Sequence, residues 1–120
     1  MRPGPPRGTT ATLEVTVTAD MATSVTGRST RATYGTSALL GHVEQICRQI
    51  VEPHLEPGEM AIDVAIEVRH REPVPVGDHI TLEATVSSVE PTKVVCEVMV
   101  RSHGTVVARG TLEQAIVRDD

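Results

Sequence analysis

The sequence predicts an α+β fold in which an antiparallel five-stranded sheet wraps around one long central helix. One segment carries apolar residues at helical spacing, and five segments alternate apolar with polar residues. The last four of these strands follow one another with short links, which is typical of an antiparallel meander. One apolar helix stripe and one apolar sheet face can then cover each other.

The chain of 120 residues is long enough for one domain with its own core. Residues 1–10 are rich in Pro, Gly and Arg and are expected to form a disordered lead, followed by a single domain over residues 11–120. The first strand covers residues 11–18, where Leu13, Val15 and Val17 alternate with polar residues. Residues 19–35 show neither the helical nor the strand spacing of apolar residues and stay unassigned as a connection or lid.

The helix is expected over roughly residues 37–52, with a broad apolar stripe along one side. Thr36 or Ser37 can cap its N-terminus, and Pro53 ends it by disfavouring helical conformation in the preceding residue. Gly41 costs about 1 kcal/mol relative to Ala inside a helix, which favours either close approach of a ligand or backbone or tight packing on the sheet. The stripe consists of Leu39, Val43, Ile46 and Ile50.

The four remaining strands are expected at residues 61–71, 79–90, 93–103 and 105–118. Their links are short: residues 73–78 form a rigid Pro- and Gly-containing turn, and residues 91–92 and 103–104 suit hairpin turns. A sheet of this kind has exposed edges, and a second copy of the chain can pair with one of them. The expected state is therefore a homodimer or a dimer of dimers.

Composition excludes several classes of function. The net charge of −5 and the lack of a clustered basic face argue against nucleic acid or a membrane as the main partner. The two cysteines, Cys47 and Cys96, lie far apart in apolar phases and are expected to be buried thiols rather than metal ligands or nucleophiles. Neither a cofactor nor a metal is expected, and the absence of a signal peptide or apolar span predicts a cytoplasmic protein.

His70 is the most informative residue of the predicted strands. Residues Ile62, Val64, Ile66 and Val68 alternate with polar residues, and the same alternation places His70 on the buried face. A half-shielded imidazole near the end of a strand suits acid–base chemistry. The alternative is a core histidine hydrogen-bonded to a neighbour.

Two further polar residues border the helix. Glu44 lies at the edge of the apolar stripe, where it can meet His70 or face a common cavity with it; otherwise it is a boundary glutamate that reaches water. Thr36 lies eight residues earlier, on the order of 12 Å along a helix axis, so direct contact with Glu44 is not expected within one chain. Its simplest role is capping, but the free amides beside it can also stabilise an oxyanion.

Four segments together resemble one family. They are residues 34–47 (YGTSALLGHVEQIC), 55–58 (LEPG), 65–70 (AIEVRH) and 75–77 (PVG). These segments are similar to the fluoroacetyl-CoA thioesterase-like branch of the hotdog-fold thioesterases. The resemblance implies a hotdog fold and a catalytic set formed by Thr36, Glu44 and His70 at a dimer interface. It also implies substrate contacts from Tyr34, Gly35, Asp63 and Val64.

The implied activity is hydrolysis of an acyl-CoA or of another acyl thioester, including one on a carrier. Asp63 stands where the fluoroacetyl-specific relatives have a small Gly, and a chain without Phe cannot form their aromatic lid. Two other functions stay open: a hotdog dehydratase or hydratase acting on acyl thioesters, and a non-catalytic acyl-ligand binding module.

Overall fold

The computed structural model describes residues 1, 3–22 and 32–119. Its strands are β1 (Thr10–Thr16), β2 (Glu59–His70), β3 (His79–Glu90), β4 (Lys93–Ser102) and β5 (Thr105–Arg118), and its helix is α1 (Thr36–Val51). All five strands form one antiparallel sheet in the order β1-β3-β4-β5-β2. Short 3₁₀ turns cover Ala19–Met21 and Glu52–His54. The predicted sheet and helix are confirmed, with shifts of one or two residues at most boundaries.

The core lies between α1 and the inner face of the sheet and is almost wholly aliphatic. Leu39, Val43 and Ile46 of the predicted stripe are at most 1% exposed, and they pack with Leu82 and Leu112 of the sheet. Within the described residues, no helix is both long and apolar enough to cross a bilayer.

Both predicted hairpins are confirmed. Glu90 pairs with Lys93 across a two-residue turn between β3 and β4, and Ser102 pairs with Thr105 between β4 and β5. His103 and Gly104 have φ values of 52° and 77°, as a tight hairpin between right-twisted strands requires. These short links fix the order of the meander, and β2 is left at an edge of the sheet.

For the first half of β2, the prediction of which residues face the core is wrong. The register against β5 shifts between Asp63 and Ala65, so Val64 is an extra residue that reverses the alternation. Asp63 pairs with the buried Gln114 and therefore lies on the helix-facing side, whereas Ile62 lies on the outer face. After the bulge, Val68 and His70 are on the helix-facing side, as predicted.

The apolar residues at the β2 edge are also more exposed than the alternation predicts. Met60, Ile62, Val64 and Ile66 have exposed fractions of 43%, 43%, 52% and 39%. They are uncovered because β2 is the last strand of the sheet and has a neighbour, β5, on one side only. An exposed apolar edge strand offers its unpaired backbone groups and its side chains to another chain.

Two details at the chain's N-terminus and at the start of α1 differ from the expectation. In the lead expected to be disordered, the Met1 side chain is buried, its amine contacts the Glu59 carboxylate, and Gly8 and Thr9 bond to the backbone of Val86. These contacts tie the described part of the lead to the domain. The cap of α1 is Gly35, with extended backbone, so Thr36 is the first helical residue rather than the cap.

Candidate active site

The loop between β2 and β3 holds the start of α1 in place. The amide of Tyr34 donates to the carbonyl of Val74, and Thr33 forms an isolated bridge with Pro75. The same loop is tied to β5, because the amide of Arg71 donates to the carbonyl of Val107. The end of β2 and the first turn of α1 are therefore fixed relative to each other by backbone bonds.

Thr36 and His70 meet at this junction. The Oγ1 atom of Thr36 lies 3.3 Å from Nδ1 of His70, within hydrogen-bonding distance. The other ring nitrogen of His70, Nε2, is buried and has no hydrogen-bond partner among the described residues. An imidazole held through one nitrogen with the second still free has the arrangement that general acid–base catalysis requires.

The first turn of α1 adds hydrogen-bond donors beside this pair. The first intrahelical bond runs from the Leu39 amide to the Gly35 carbonyl, so the amides of Thr36, Ser37 and Ala38 have no acceptor within the helix. Such amides, together with the positive end of the helix dipole, stabilise a developing negative charge. The predicted oxyanion-binding position at the helix start thus coincides with the Thr36–His70 contact.

Tyr34 and His42 form a polar pair that the sequence analysis missed. The Tyr34 hydroxyl hydrogen-bonds to Nδ1 of His42, and the Tyr34 ring meets the His70 ring edge-on at 6.0 Å between centroids. Burial raises the pKa of Tyr34 and lowers the pKa of His42, so both groups favour their neutral forms. The spacing of eight residues between Tyr34 and His42, near two helical turns, is the pattern that could have identified the pair.

Asp63 of β2 is the main influence on the Glu44 carboxyl. The pKa of Glu44 is raised, first by a hydrogen bond with the Asp63 carboxyl, then by burial and by the negative charge of Asp63, while Arg48 opposes the shift. The antiparallel run of β2 beneath α1 explains the pairing: Thr36 at the helix start meets the last residue of β2, and Glu44 two turns later meets a residue before the bulge.

The seven predicted site residues therefore fall into two groups within one chain. Tyr34, Gly35 and Thr36 surround His70, whereas Asp63, Val64 and Glu44 lie along β2 on the other side of the bulge. Gly35 is buried as the helix cap, and its amide donates to the Met21 carbonyl. The predicted meeting of Glu44 with His70 is not among the contacts formed within one chain.

The cysteines and the outer sheet face lie apart from the Thr36–His70 pair. Cys47 and Cys96 are free, buried thiols, as predicted, and their mutual hydrogen bond and burial raise the pKa of Cys47. A groove of about 400 Å³ on the outer face is lined by charged side chains, among them Arg69 and Arg109, and by none of the predicted site residues.

The sheet wrapped around one helix is shared with solved structures of the thioesterase superfamily. A Thermus thermophilus protein described as a member of that superfamily is 30% identical, with a TM-score of 0.88 over 99% of this chain and 88% of its own. A hot-dog-like protein from Thermanaerovibrio acidaminovorans is 28% identical, with a TM-score of 0.83 over 94% and 84% of the two chains. The fold is thus the hotdog fold of this superfamily.

Sequence similarity identifies the family within this superfamily. The sequence model of the fluoroacetyl-CoA-specific thioesterase family matches residues 17–120, and the chain belongs to that family. The fluoroacetyl-CoA thioesterase of Streptantibioticus cattleyicolor is 31% identical over 84 residues, which are 70% of this chain and 60% of that relative. A solved fluoroacetyl-CoA thioesterase is 25% identical, with a TM-score of 0.83 over 94% of this chain and 88% of its own.

Proposed function

We propose that this protein hydrolyses an acyl-CoA thioester and that Thr36 and His70 are at the centre of the reaction. The observation that carries the proposal is the 3.3 Å contact between Thr36 and His70 at the N-terminus of α1, in a member of a thioesterase family. A hydroxyl, an imidazole and free amides are the three groups that acyl transfer needs: a nucleophile or positioning group, a base and an oxyanion site.

In the proposed reaction His70 takes a proton from the attacking oxygen, which belongs to Thr36 or to a water molecule. The attack on the thioester carbonyl forms a tetrahedral oxyanion, which the first amides of α1 stabilise. Collapse breaks the carbon–sulfur bond, and the leaving CoA sulfur receives the proton from His70. If Thr36 attacks, water then hydrolyses the acyl-threonine, again with His70 as base.

The active form in this proposal is a homodimer that pairs two β2 edges. Its support is the exposed apolar edge described above. Four apolar side chains of this one strand are each more than a third exposed, and a contiguous exposed apolar patch is typical of a protein–protein interface. Antiparallel pairing about a two-fold axis near Ile66 sets residue 63 of one strand opposite residue 69 of the other. That register brings Glu44 of the partner subunit towards Thr36 and His70, and thereby completes the Thr, Glu and His set at the interface. The same interface can be repeated in a dimer of dimers.

The substrate contacts in the proposal are Tyr34, Gly35, Asp63 and Val64. Tyr34 and Gly35 adjoin the Thr36–His70 pair, and Asp63 and Val64 belong to the edge that the partner covers. Of the two predicted carriers, CoA and a carrier protein, the proposal favours CoA, because a fluoroacetyl-CoA thioesterase relative was solved with fluoroacetate and CoA. A cytoplasmic location fits a CoA substrate and two unpaired cysteines.

A thiol-detecting assay over short, medium and fluorinated acyl-CoAs tests the proposal. His70→Ala should lower the release of free CoA by about 10²-fold or more, because it removes the base. His79→Ala is a matched control, since Nδ1 of His79 also contacts a threonine, Thr16, at 2.9 Å, but on the exposed surface. Undiminished turnover in His70→Ala would refute the assignment.

The same assay, with the products identified, distinguishes a thioesterase from the two other candidate functions. A dehydratase would convert a 3-hydroxyacyl-CoA to an enoyl-CoA without releasing thiol, and a binding module would retain acyl-CoA without converting it. Either result in the wild-type protein, with no thiol released from any acyl-CoA in the series, would replace the thioesterase proposal.

A further inference from the structure

The Tyr34 ring meets two imidazoles. The sequence has one Tyr and neither Phe nor Trp, and this Tyr34 is only 2% exposed. Its ring meets the His70 ring edge-on, with 6.0 Å between the centroids and 68° between the planes. The His42 ring is nearly parallel to it, at 5.8 Å and 15°, and Nδ1 of His42 hydrogen-bonds to the Tyr34 hydroxyl. His42, on the second turn of α1, is therefore connected to the candidate base through a single side chain.

His70 needs a restraint on its ring beyond its one hydrogen bond. Its Nδ1 atom makes a long hydrogen bond of 3.3 Å with Oγ1 of Thr36, and its Nε2 atom has no partner among the described residues. The χ2 angle of a histidine has broad minima, so one such bond leaves the imidazole free to turn. The Tyr34 ring, edge-on to the imidazole, limits this rotation, and the direction of Nδ1 then depends on where Tyr34 lies.

Tyr34 is itself held at both ends. Its amide donates to the Val74 carbonyl, and its backbone forms an isolated bridge with Ala22. At the tip of the side chain, the partner of the hydroxyl is His42. A buried hydroxyl without a partner is costly, so the loss of His42 would favour movement of the Tyr34 ring towards water.

We propose that His42 is a positioning residue for the proposed reaction: through Tyr34, it holds the imidazole of His70 with Nδ1 towards Thr36. The hydrogen bond of His42 is to Tyr34, so its effect on the reaction passes through the Tyr34 ring. The role in the reaction rests on the proposed function. The effect of His42 on the orientation of the His70 ring does not.

The surroundings of the pair favour a role in the site over a role in packing. The core beside it is almost wholly aliphatic, with Leu39 and Val43 on the same helix. Two apolar side chains of similar shape would fill the space of a Tyr–His pair at little cost in stability. A hydrogen-bonded pair that meets the candidate base is therefore better explained by what it does to that base.

The ¹⁵N chemical shifts of the His70 imidazole test the positioning without any substrate. His42→Leu removes the partner of the Tyr34 hydroxyl and should change the Nδ1 shift of His70, because this shift depends on the bond to Thr36. His42→Asn should return the shift towards the wild-type value, since an amide can both donate to and accept from the hydroxyl. His79→Leu is the matched control, because Nδ1 of His79 also contacts a threonine hydroxyl, but on the exposed surface.

The kinetics of acyl-CoA hydrolysis give a second readout. In His42→Leu, kcat should fall by about ten-fold with KM unchanged, because a displaced base slows the chemical step without weakening substrate binding. Tyr34→Phe keeps the ring but removes the hydroxyl and should lower kcat to a similar extent. The double variant should be no slower than the single variants, since both changes remove the same bond. His42→Asn should recover most of the lost kcat.

The inference is overturned if His42→Leu and Tyr34→Phe both keep the wild-type His70 shifts or the wild-type kcat. It is also overturned if the loss in His42→Leu appears only in KM, or if His42→Asn recovers none of it. Should His42→Leu fail to fold, Tyr34→Phe tests the same bond. A wild-type protein that releases no thiol would instead refute the proposed function, and the NMR comparison would still decide whether His42 orients the His70 ring.

Discussion

The Oγ1 atom of Thr36 and Nδ1 of His70, 3.3 Å apart, join the first residue of α1 to the last residue of β2. The contact is not a product of two flexible ends, because backbone bonds from the β2–β3 loop fix both elements. It brings the candidate base, a hydroxyl and the first amides of the helix into one place. Its two partners can be tested separately by substitution.

Replacing the Thr36 hydroxyl distinguishes chemistry from packing. Thr36→Val keeps the shape of the side chain but removes the hydroxyl, and kcat should fall by about 10²-fold in a thiol-release assay. Thr36→Ser keeps the hydroxyl and should retain most of the activity. Equal activity in Thr36→Val and the wild-type protein would show that the hydroxyl has no part in the reaction; Thr16→Val is the surface control.

Two glycines should respond in opposite directions to alanine. A Cβ at Gly110 would lie 2.5 Å from the Glu67 carbonyl oxygen and 2.9 Å from Val68 Cγ2, so Gly110→Ala should push β2 away from β5 and lower the free energy of unfolding by ~1–3 kcal/mol. A Cβ at Gly41 meets no other atom within 4 Å, so Gly41→Ala should stabilise the helix by ~0.5–1 kcal/mol. Urea unfolding of both variants measures the two effects.

The outcome for Gly41 also bears on the sequence-based explanations of this residue. The sheet backbone does not come within 4 Å of a Cβ placed at Gly41, so tight packing on the sheet does not explain this glycine within the described chain. A loss of stability in Gly41→Ala would contradict the account and would mean that a surface outside this chain packs against the helix there.

The hydrogen-bonded pair of buried Tyr34 and half-buried His42 should make stability depend on pH. Burial lowers the pKa of His42 below its ordinary value of 6.5, so the unfolded chain binds this proton more tightly than the folded chain. The contribution of His42 to stability is therefore complete above pH 6.5 and is lost as the pH falls towards the lowered pKa. In His42→Gln, the free energy of unfolding should decrease less over this interval than in the wild-type protein.

Chemical denaturation at a series of pH values measures this difference. Tyr34→Phe, which removes the hydroxyl bonded to His42, should destabilise the protein by about 1 kcal/mol at neutral pH. Identical pH dependence in His42→Gln and the wild-type protein would contradict the burial of a neutral imidazole.

The β2 edge should control the oligomeric state. Ile66→Arg places a charge at the centre of the proposed interface and should convert the dimer to a monomer in sedimentation velocity. Val76→Arg is the matched control, because Val76 has a similar exposed fraction, 37% against 39%, but lies outside β2. A dimer that persists in Ile66→Arg would exclude pairing through this edge.

The sequence predicted the fold well because its apolar residues recur clearly at helical spacing in one segment and at strand spacing in the others, and because its turns contain distinctive residues. The stripe of Leu39, Val43 and Ile46 is buried as expected, and the turn at His103–Gly104 has the positive φ values that a tight hairpin needs. The bulge at Val64 could not be predicted in the same way. An extra residue in one strand is a property of the pairing with β5, and the alternation of β2 alone shows no break there.

That one residue changes the face of β2 on which Asp63 lies. Because the bulge reverses the alternation, Asp63 faces the helix and raises the pKa of Glu44, whereas the straight pattern assigns Asp63 to the polar face. The contact between Thr36 and His70 lies beyond the bulge, where the pattern holds. The exposure of Ile62 and Ile66 also depended on strand order, which spacing along the chain does not specify.

Subunit complementation tests the central claim most directly, namely that each reaction centre combines Thr36 and His70 of one chain with Glu44 of the other. His70→Ala and Glu44→Gln should each be nearly inactive alone. A heterodimer of the two has one centre with both changes and one with neither, so mixing and refolding the variants should restore up to about half of the wild-type activity per heterodimer. Heterodimers as inactive as either parent would contradict the account.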